Sequence, residues 1–278
     1  MKKIIFKTIA AIFFLSLLAT SFIGCQKMDR PPMNIIPDDT ARLNGPLQLF
    51  LSFEDSPLDS IHDVDGSVQG VSYVEGKRGK AYQGSSNGQI LFGNAGKLSS
   101  MTSFTVAFWM NTEKHGGGAQ SIFMLPRTSD FWGNLFAMIE GNEDEADNSM
   151  LLKFNFAGNW VEFSGNNGVD RLPDMYGKWR HLAFSYDENT SKFAAYLDGQ
   201  AIDLPASVTD RKSGDAPLGP LAFQDASQFV IGAFQQHIGV GNAPDAWMLH
   251  YTGMLDEFRV YTEALSADEI NQLFTDNR

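Results

Sequence analysis

Between Lys178 and Asp203 the chain reads KWRHLAFSYDENTSKFAAYLDGQAID. Leu182, Phe184 and Tyr186 alternate there with His181, Ala183 and Ser185, and an alternation of two is the strand period. Asp187 to Ser191 forms a short polar turn, after which Phe193, Ala195 and Leu197 alternate in a second run. Asp198-Gly199 supplies another tight turn, because Gly tolerates positive φ and Asp hydrogen-bonds locally. Both faces of each run carry apolar groups. A hairpin of that kind must lie inside a sheet covered on both sides.

The same pattern extends in both directions. Leu47 to Phe53, Val68 to Val74, Gly79 to Gln83, Ile90 to Phe92 and Phe104 to Met110 read as strands before the hairpin. So do Ser121–Leu125, Leu135–Ile139, Met150–Phe156 and Trp160–Phe163, and after it Gln228–Phe234 and Gly253–Tyr261. No helical period appears before residue 262 and no repeat is present. About a dozen strands without helices predict an all-β fold of two packed antiparallel sheets. Apolar residues make up 43% of the chain, enough to fill the space between them. Ser266-Ala267-Asp268-Glu269 is a capping box that opens one short C-terminal helix, with Ile270, Leu273 and Phe274 on its apolar face.

The N-terminus predicts targeting rather than structure. Lys2, Lys3 and Lys7 precede an apolar run from Thr8 to Ile23, a signal-peptide pattern covering residues 1–24. It ends in Phe22-Ile23-Gly24-Cys25, which resembles a bacterial lipobox with Phe22 in place of the usual Leu. Acylation of Cys25, the only cysteine, would anchor the mature protein outside the cytoplasm, at the outer membrane of a Gram-negative bacterium. Residues 25–45 hold Pro31, Pro32 and Pro37 with several acids and read as an extended tether. The domain is expected over 46–278. Net charge is −12, which disfavours nucleic acid and leaves the lipid anchor as the only membrane contact.

Four stretches together resemble laminin-G-like domains of the concanavalin A-like superfamily. They are Gly79-Lys80-Ala81-Tyr82, Phe104 to Trp109, the central hairpin with Trp179-x-His181-Leu182-Ala183 and Tyr196-Leu197-Asp198-Gly199, and Gly253 to Tyr261. They occur in the family's order and cover roughly Pro46 to Phe274. The resemblance implies a jelly-roll sandwich and a glycan or polysaccharide as ligand. It also implies a structural calcium near the end of the first strand and the closing strand, with Glu54, Asp55, Asp63 and Asp256 as candidate ligands. Hard oxygen donors of this type are what calcium takes.

The two carboxylates alternating on one strand that the superfamily's glycosidases use are absent, and Glu143, Glu145 and Asp147 sit in a stretch with no apolar face. Gly84-Ser85-Ser86-Asn87-Gly88 has the spacing of a nucleophile elbow, but a strand follows where a helix is needed. The five histidines show no zinc spacing. Sugar binding needs a flat apolar face and polar neighbours. Trp109 and Trp179 belong to core motifs, which leaves Trp132, Trp160 and Trp247 as platforms, with Asn134 and His250 as polar partners. Trp132, flanked by turn residues, is expected at a solvent-facing tip. The expected function is non-catalytic carbohydrate binding; a protein-binding adhesion module and a cryptic glycoside hydrolase or lyase are the alternatives.

Overall fold

The computed structural model describes residues 39–276. The expected signal segment, Cys25 and residues 25–38 of the expected tether lie outside them. The last tether residues, Asp39–Asn44, form a short helix, α1, and are not extended. Among the described residues no helix is long and apolar enough to cross a membrane.

Among the described residues twenty strands follow in chain order. The first seven are β1 (Leu47–Leu51), β2 (Leu58–Asp59), β3 (Val64–Asp65), β4 (Ser67–Gln69), β5 (Ser72–Glu75), β6 (Lys80–Gln83) and β7 (Gln89–Phe92). The middle of the chain supplies β8 (Phe104–Asn111), β9 (Ala119–Leu125), β10 (Leu135–Glu140), β11 (Leu152–Phe156), β12 (Asn159–Phe163), β13 (Arg180–Asp187) and β14 (Lys192–Leu197). The last are β15 (Gln200–Ala201), β16 (Lys212–Ser213), β17 (Ala216–Pro217), β18 (Phe229–Ile231), β19 (Met248–His250) and β20 (Met254–Tyr261). One helical turn, α2 (Ala206–Thr209), precedes β16, and α3 (Ala267–Thr275) closes the chain.

The strands form two large sheets. The first runs β15-β14-β13-β8-β20-β1-β2-β3, with β6 beside β20 and β5 beside β6. The second runs β12-β11-β10-β9-β18-β7-β4, with β19 beside β9. All pairings are antiparallel except β19 with β9. The hairpin of β13 and β14 lies inside the first sheet, with β8 on one side and β15 on the other, as its two apolar faces require.

Aromatic side chains from the two inner faces interdigitate. Phe154 of β11 stacks on Phe184 of β13 with ring centroids 4.4 Å apart. Phe123 of β9 meets Phe258 of β20 edge to face at 5.3 Å. Each such ring removes a large apolar area from water, and offset or edge contacts suit the ring quadrupoles.

The outer face of the first sheet is covered by α3. Ala107 and Ala183 pair in register and leave room for Ile270 and Leu265, which pack on them with Tyr196. Phe274 stacks on Trp109 at 5.4 Å. The helix starts as the sequence predicts: Glu269 N donates to Ser266 Oγ at 3.3 Å, and Ser266 N donates to Glu269 Oε2 at 2.8 Å. Ser85 sits in a polar turn, its Oγ donating to Gly70 O at 2.7 Å, and β7 follows as a strand.

Candidate functional site

The outer face of the second sheet is apolar as well. In β10, Leu135, Ala137 and Ile139 point into the sandwich while Phe136 and Met138 point out. A run with two apolar faces is therefore explained twice over, once by the core and once by a second cluster. Met124, Val230, Phe234 and Met248 join Phe136 and Met138 in it. The strand register fixes what stands beside them. Phe136 lies opposite Asn155 of β11, which lies opposite Trp160 of β12. One step on, Met138 lies opposite Lys153, and Lys153 opposite Glu162.

Three tryptophans converge on this face, each partly buried. Trp132 stacks on Phe136 with centroids 5.6 Å apart and planes 15° apart. It also lies 6.0 Å from Trp247. Trp160 closes on Phe136 edge to face at 5.3 Å, and Phe234 does the same to Trp247 at 5.5 Å. Together Trp132, Trp160 and Trp247 line an open cleft of about 360 Å³ with Met138, Glu140, Lys153 and Glu162. Lys153 Nζ pairs with Glu140 Oε1 at 2.7 Å. The arrangement offers indole surfaces, two carboxylates and one ammonium to a ligand.

The structure thus brings together three of the five residues expected to bind a ligand, Trp132, Trp160 and Trp247, and leaves Asn134 and His250 outside the cleft. Trp132 is not a free tip, because Phe136 supports its ring. Trp160 lies on β12, in the strand expected from Trp160 to Phe163. Asn134 is 3% exposed. Its amide donates to Pro126 O and Gln224 O at 2.8 and 2.7 Å, and its Oδ1 accepts from Gln224 N at 2.8 Å. With every polar atom committed, it ties two loops and does not face a ligand. His250 lies outside the cleft, beyond Phe234, and stacks on His237 at 3.9 Å. Burial, with His237 adding to it, pulls His250 down to about 4, so the ring is neutral at neutral pH. Trp109 is buried as expected, whereas Trp179 is only partly so. Sequence reasoning missed Glu140, Lys153 and Glu162. Their signal was the polar slot each takes in an otherwise apolar strand, but only the register shows that the slots adjoin.

The candidate calcium ligands divide. Glu54 and Asp256 border one turn, Glu75 to Lys80, which joins β5 to β6. Lys80 N donates to both Glu54 carboxylate oxygens at 3.1 Å. Arg78 N donates to Asp256 Oδ2 at 2.7 Å. Glycine is needed on this turn: a Cβ on Gly79, where φ is +58°, would come 2.1 Å from Glu54 Oε1. Asp256 is fully buried, and its Oδ1 has no hydrogen-bond partner among the described residues. Burial, with the Glu257 carboxylate beside it, pushes Asp256 up to about 7. An orphaned buried carboxylate oxygen fits a proton or a cation. Asp63 instead pairs with Arg42 at 3.1 Å, and Asp55 is exposed. Among the described residues no three His, Cys, Asp or Glu side chains converge. A cation at this turn would therefore depend on Glu54, Asp256 and backbone carbonyls.

A family model described as the concanavalin A-like lectin/glucanases superfamily matches residues 83–271. The chain belongs to that superfamily. Among curated proteins none matches it. Of solved structures, domain 4 of a GH43 extracellular arabinanase from Geobacillus stearothermophilus, in complex with arabinotriose, is 20% identical, with a TM-score of 0.54 over 82% of this chain and 98% of that one. A Trypanosoma rangeli sialidase in complex with sialic acid is 16% identical, with a TM-score of 0.53 over 82% of this chain and 32% of that one. The receptor-binding domain of a botulinum neurotoxin C/D mosaic serotype is 11% identical, with a TM-score of 0.51 over 82% and 51%. The chain spans about a third of the sialidase and half of the toxin domain. At these identities the likeness is one of fold, and function is argued from the site.

Proposed function

We propose that this superfamily member is a non-catalytic carbohydrate-binding module whose ligand lies in the aromatic cleft of the second sheet. The observation that carries this reading is the convergence of Trp132, Trp160 and Trp247 around Glu140, Lys153 and Glu162. The C–H face of a sugar ring packs on indole, and its hydroxyls bond to carboxylates and an ammonium. Arabinotriose bound to a domain of the same fold supports the reading. Glu140 is tied to Lys153, which favours binding over an acid–nucleophile pair. An open cleft of this kind should bind weakly, with Kd on the order of 10⁻³ to 10⁻⁶ M. Calorimetry of the full chain against plant and host polysaccharides tests it. Binding that survives Trp160→Ala unchanged would remove the cleft from the reading, and a wild type that binds no glycan would favour a protein ligand.

Two further parts belong to this proposal. Acylated Cys25 would hold the module at the outer membrane, presenting it to polysaccharide. A calcium held by Glu54 and Asp256 would neutralise a buried carboxylate and brace the turn between β5 and β6, without touching the ligand.

A further inference from the structure

The loop that carries Trp132 is braced from behind. Gln235 is fully buried, and its Nε2 donates to Asp130 O at 2.8 Å and to Arg127 O and Phe131 O at 3.2 Å. Gln236 Nε2 donates to Phe131 O at 2.8 Å. These bonds hold Phe131 on the surface, 42% exposed, with its ring 5.0 Å from Trp132 and 6.4 Å from Trp247. On the other side of that ridge is a second pocket of about 230 Å³. Phe131 forms one wall of it, and Thr128, Ser129, Gln236 and Asn242 bring hydroxyls and amides. Gln236 is 5% exposed, and its buried Oε1 has no hydrogen-bond partner among the described residues.

The second pocket thus repeats the chemistry of the first: an aromatic wall with polar groups beside it. The two share the ridge of Phe131, Trp132 and Trp247. We propose that this pocket is a second sugar subsite, and that the ligand is a neutral oligosaccharide long enough to cross the ridge and fill both pockets. The inference rests on the carbohydrate reading of the cleft and adds the length and charge of the ligand. Neutrality follows from the charges present. Glu140, Glu162 and Asp130 outnumber Lys153 and Arg127 along the path, and the chain carries −12 overall. Such a field repels polyanions. Preorganisation by Gln235 and Gln236 means that little loop entropy is lost on binding.

Titration calorimetry of the full chain tests the inference, using gluco-, xylo-, manno- and arabino-oligosaccharides from mono- to hexasaccharide, with polygalacturonate as the anionic probe. For the series that binds, affinity should climb about tenfold as the ligand grows long enough to reach the second pocket. Thr128→Ala and Asn242→Ala, which touch only the second pocket, should each remove that increment and leave the shortest bound ligand unaffected. Equal affinity for short and long ligands, equal weakening of both by either variant, or tighter binding of polygalacturonate would overturn the second subsite while leaving the cleft intact. Binding of no probe by the wild type would overturn the carbohydrate reading and this inference with it.

Discussion

Trp132 and Trp160 meet edge to face, with ring centroids 5.0 Å apart and planes 86° apart. They come from a loop and from a strand that are separated by β10 and β11 in the chain. Their contact makes two walls of one cleft, and Phe136 lies against both rings.

That contact sets the outcome of truncating either ring. Trp132→Ala should abolish detectable glycan binding. Because the ring stacks on Phe136, it should also lower stability by about 1–3 kcal/mol, less than the 3–5 kcal/mol typical of a core Trp→Ala change. Trp160→Phe should retain part of the binding, since it keeps an aromatic wall. Melting curves beside calorimetry separate the two effects. A Trp132→Ala protein that melts like the wild type would show that the ring does not brace the sheet.

Calcium is expected to raise the melting midpoint without altering glycan affinity. A ligand bound only by the native state, at a hundredfold excess over its Kd, stabilises by about 2.7 kcal/mol. Asp256→Asn should erase the shift and Glu54→Gln should reduce it, whereas Asp63→Asn should leave it intact because Asp63 pairs with Arg42. A midpoint unmoved between calcium and chelator would exclude the site.

His181 gives a dependence on pH. Burial, with Arg259 and Arg78 adding to it, pulls the imidazole down to about 3. The unfolded chain protonates this group near its ordinary value of about 6.5, so between the two values the unfolded state binds the extra proton. Stability from this group is therefore complete above about 6.5 and is lost as pH falls toward about 3. Denaturant titrations at several pH values should show wild type losing more stability than His181→Gln between about pH 6.5 and 4.5. Parallel losses would place the titration elsewhere.

The proposed lipid anchor rests on acylation of Cys25. Acyl chains contribute about 0.8 kcal/mol per buried CH₂. Cys25→Ala should therefore abolish incorporation of a labelled fatty acid and release or mislocalise the protein. Equal labelling of the two proteins would end the lipoprotein proposal.

What the sequence determined by itself is the architecture. Alternation in β8, β13 and β14 fixes which residues face the core, because the strand period is local. The capping box at Ser266 and Glu269 fixes where α3 begins, because its hydrogen bonds span three residues. The five candidate ligand residues share only their chemical type, and type does not report position. Asn134 is a polar residue in a loop, yet the fold uses all of its amide for Pro126 and Gln224. Only the tertiary structure decided which side chains share the cleft. Register sets Lys153 beside Glu162, and a bulge in β9 makes Ser121, not Ile122, the partner of Met138. A one-residue step changes the face of every following side chain. The bulge therefore decides which residues of β9 lie on the apolar outer face. Strand pairing depends on contacts distant in sequence, and so no local pattern carries it.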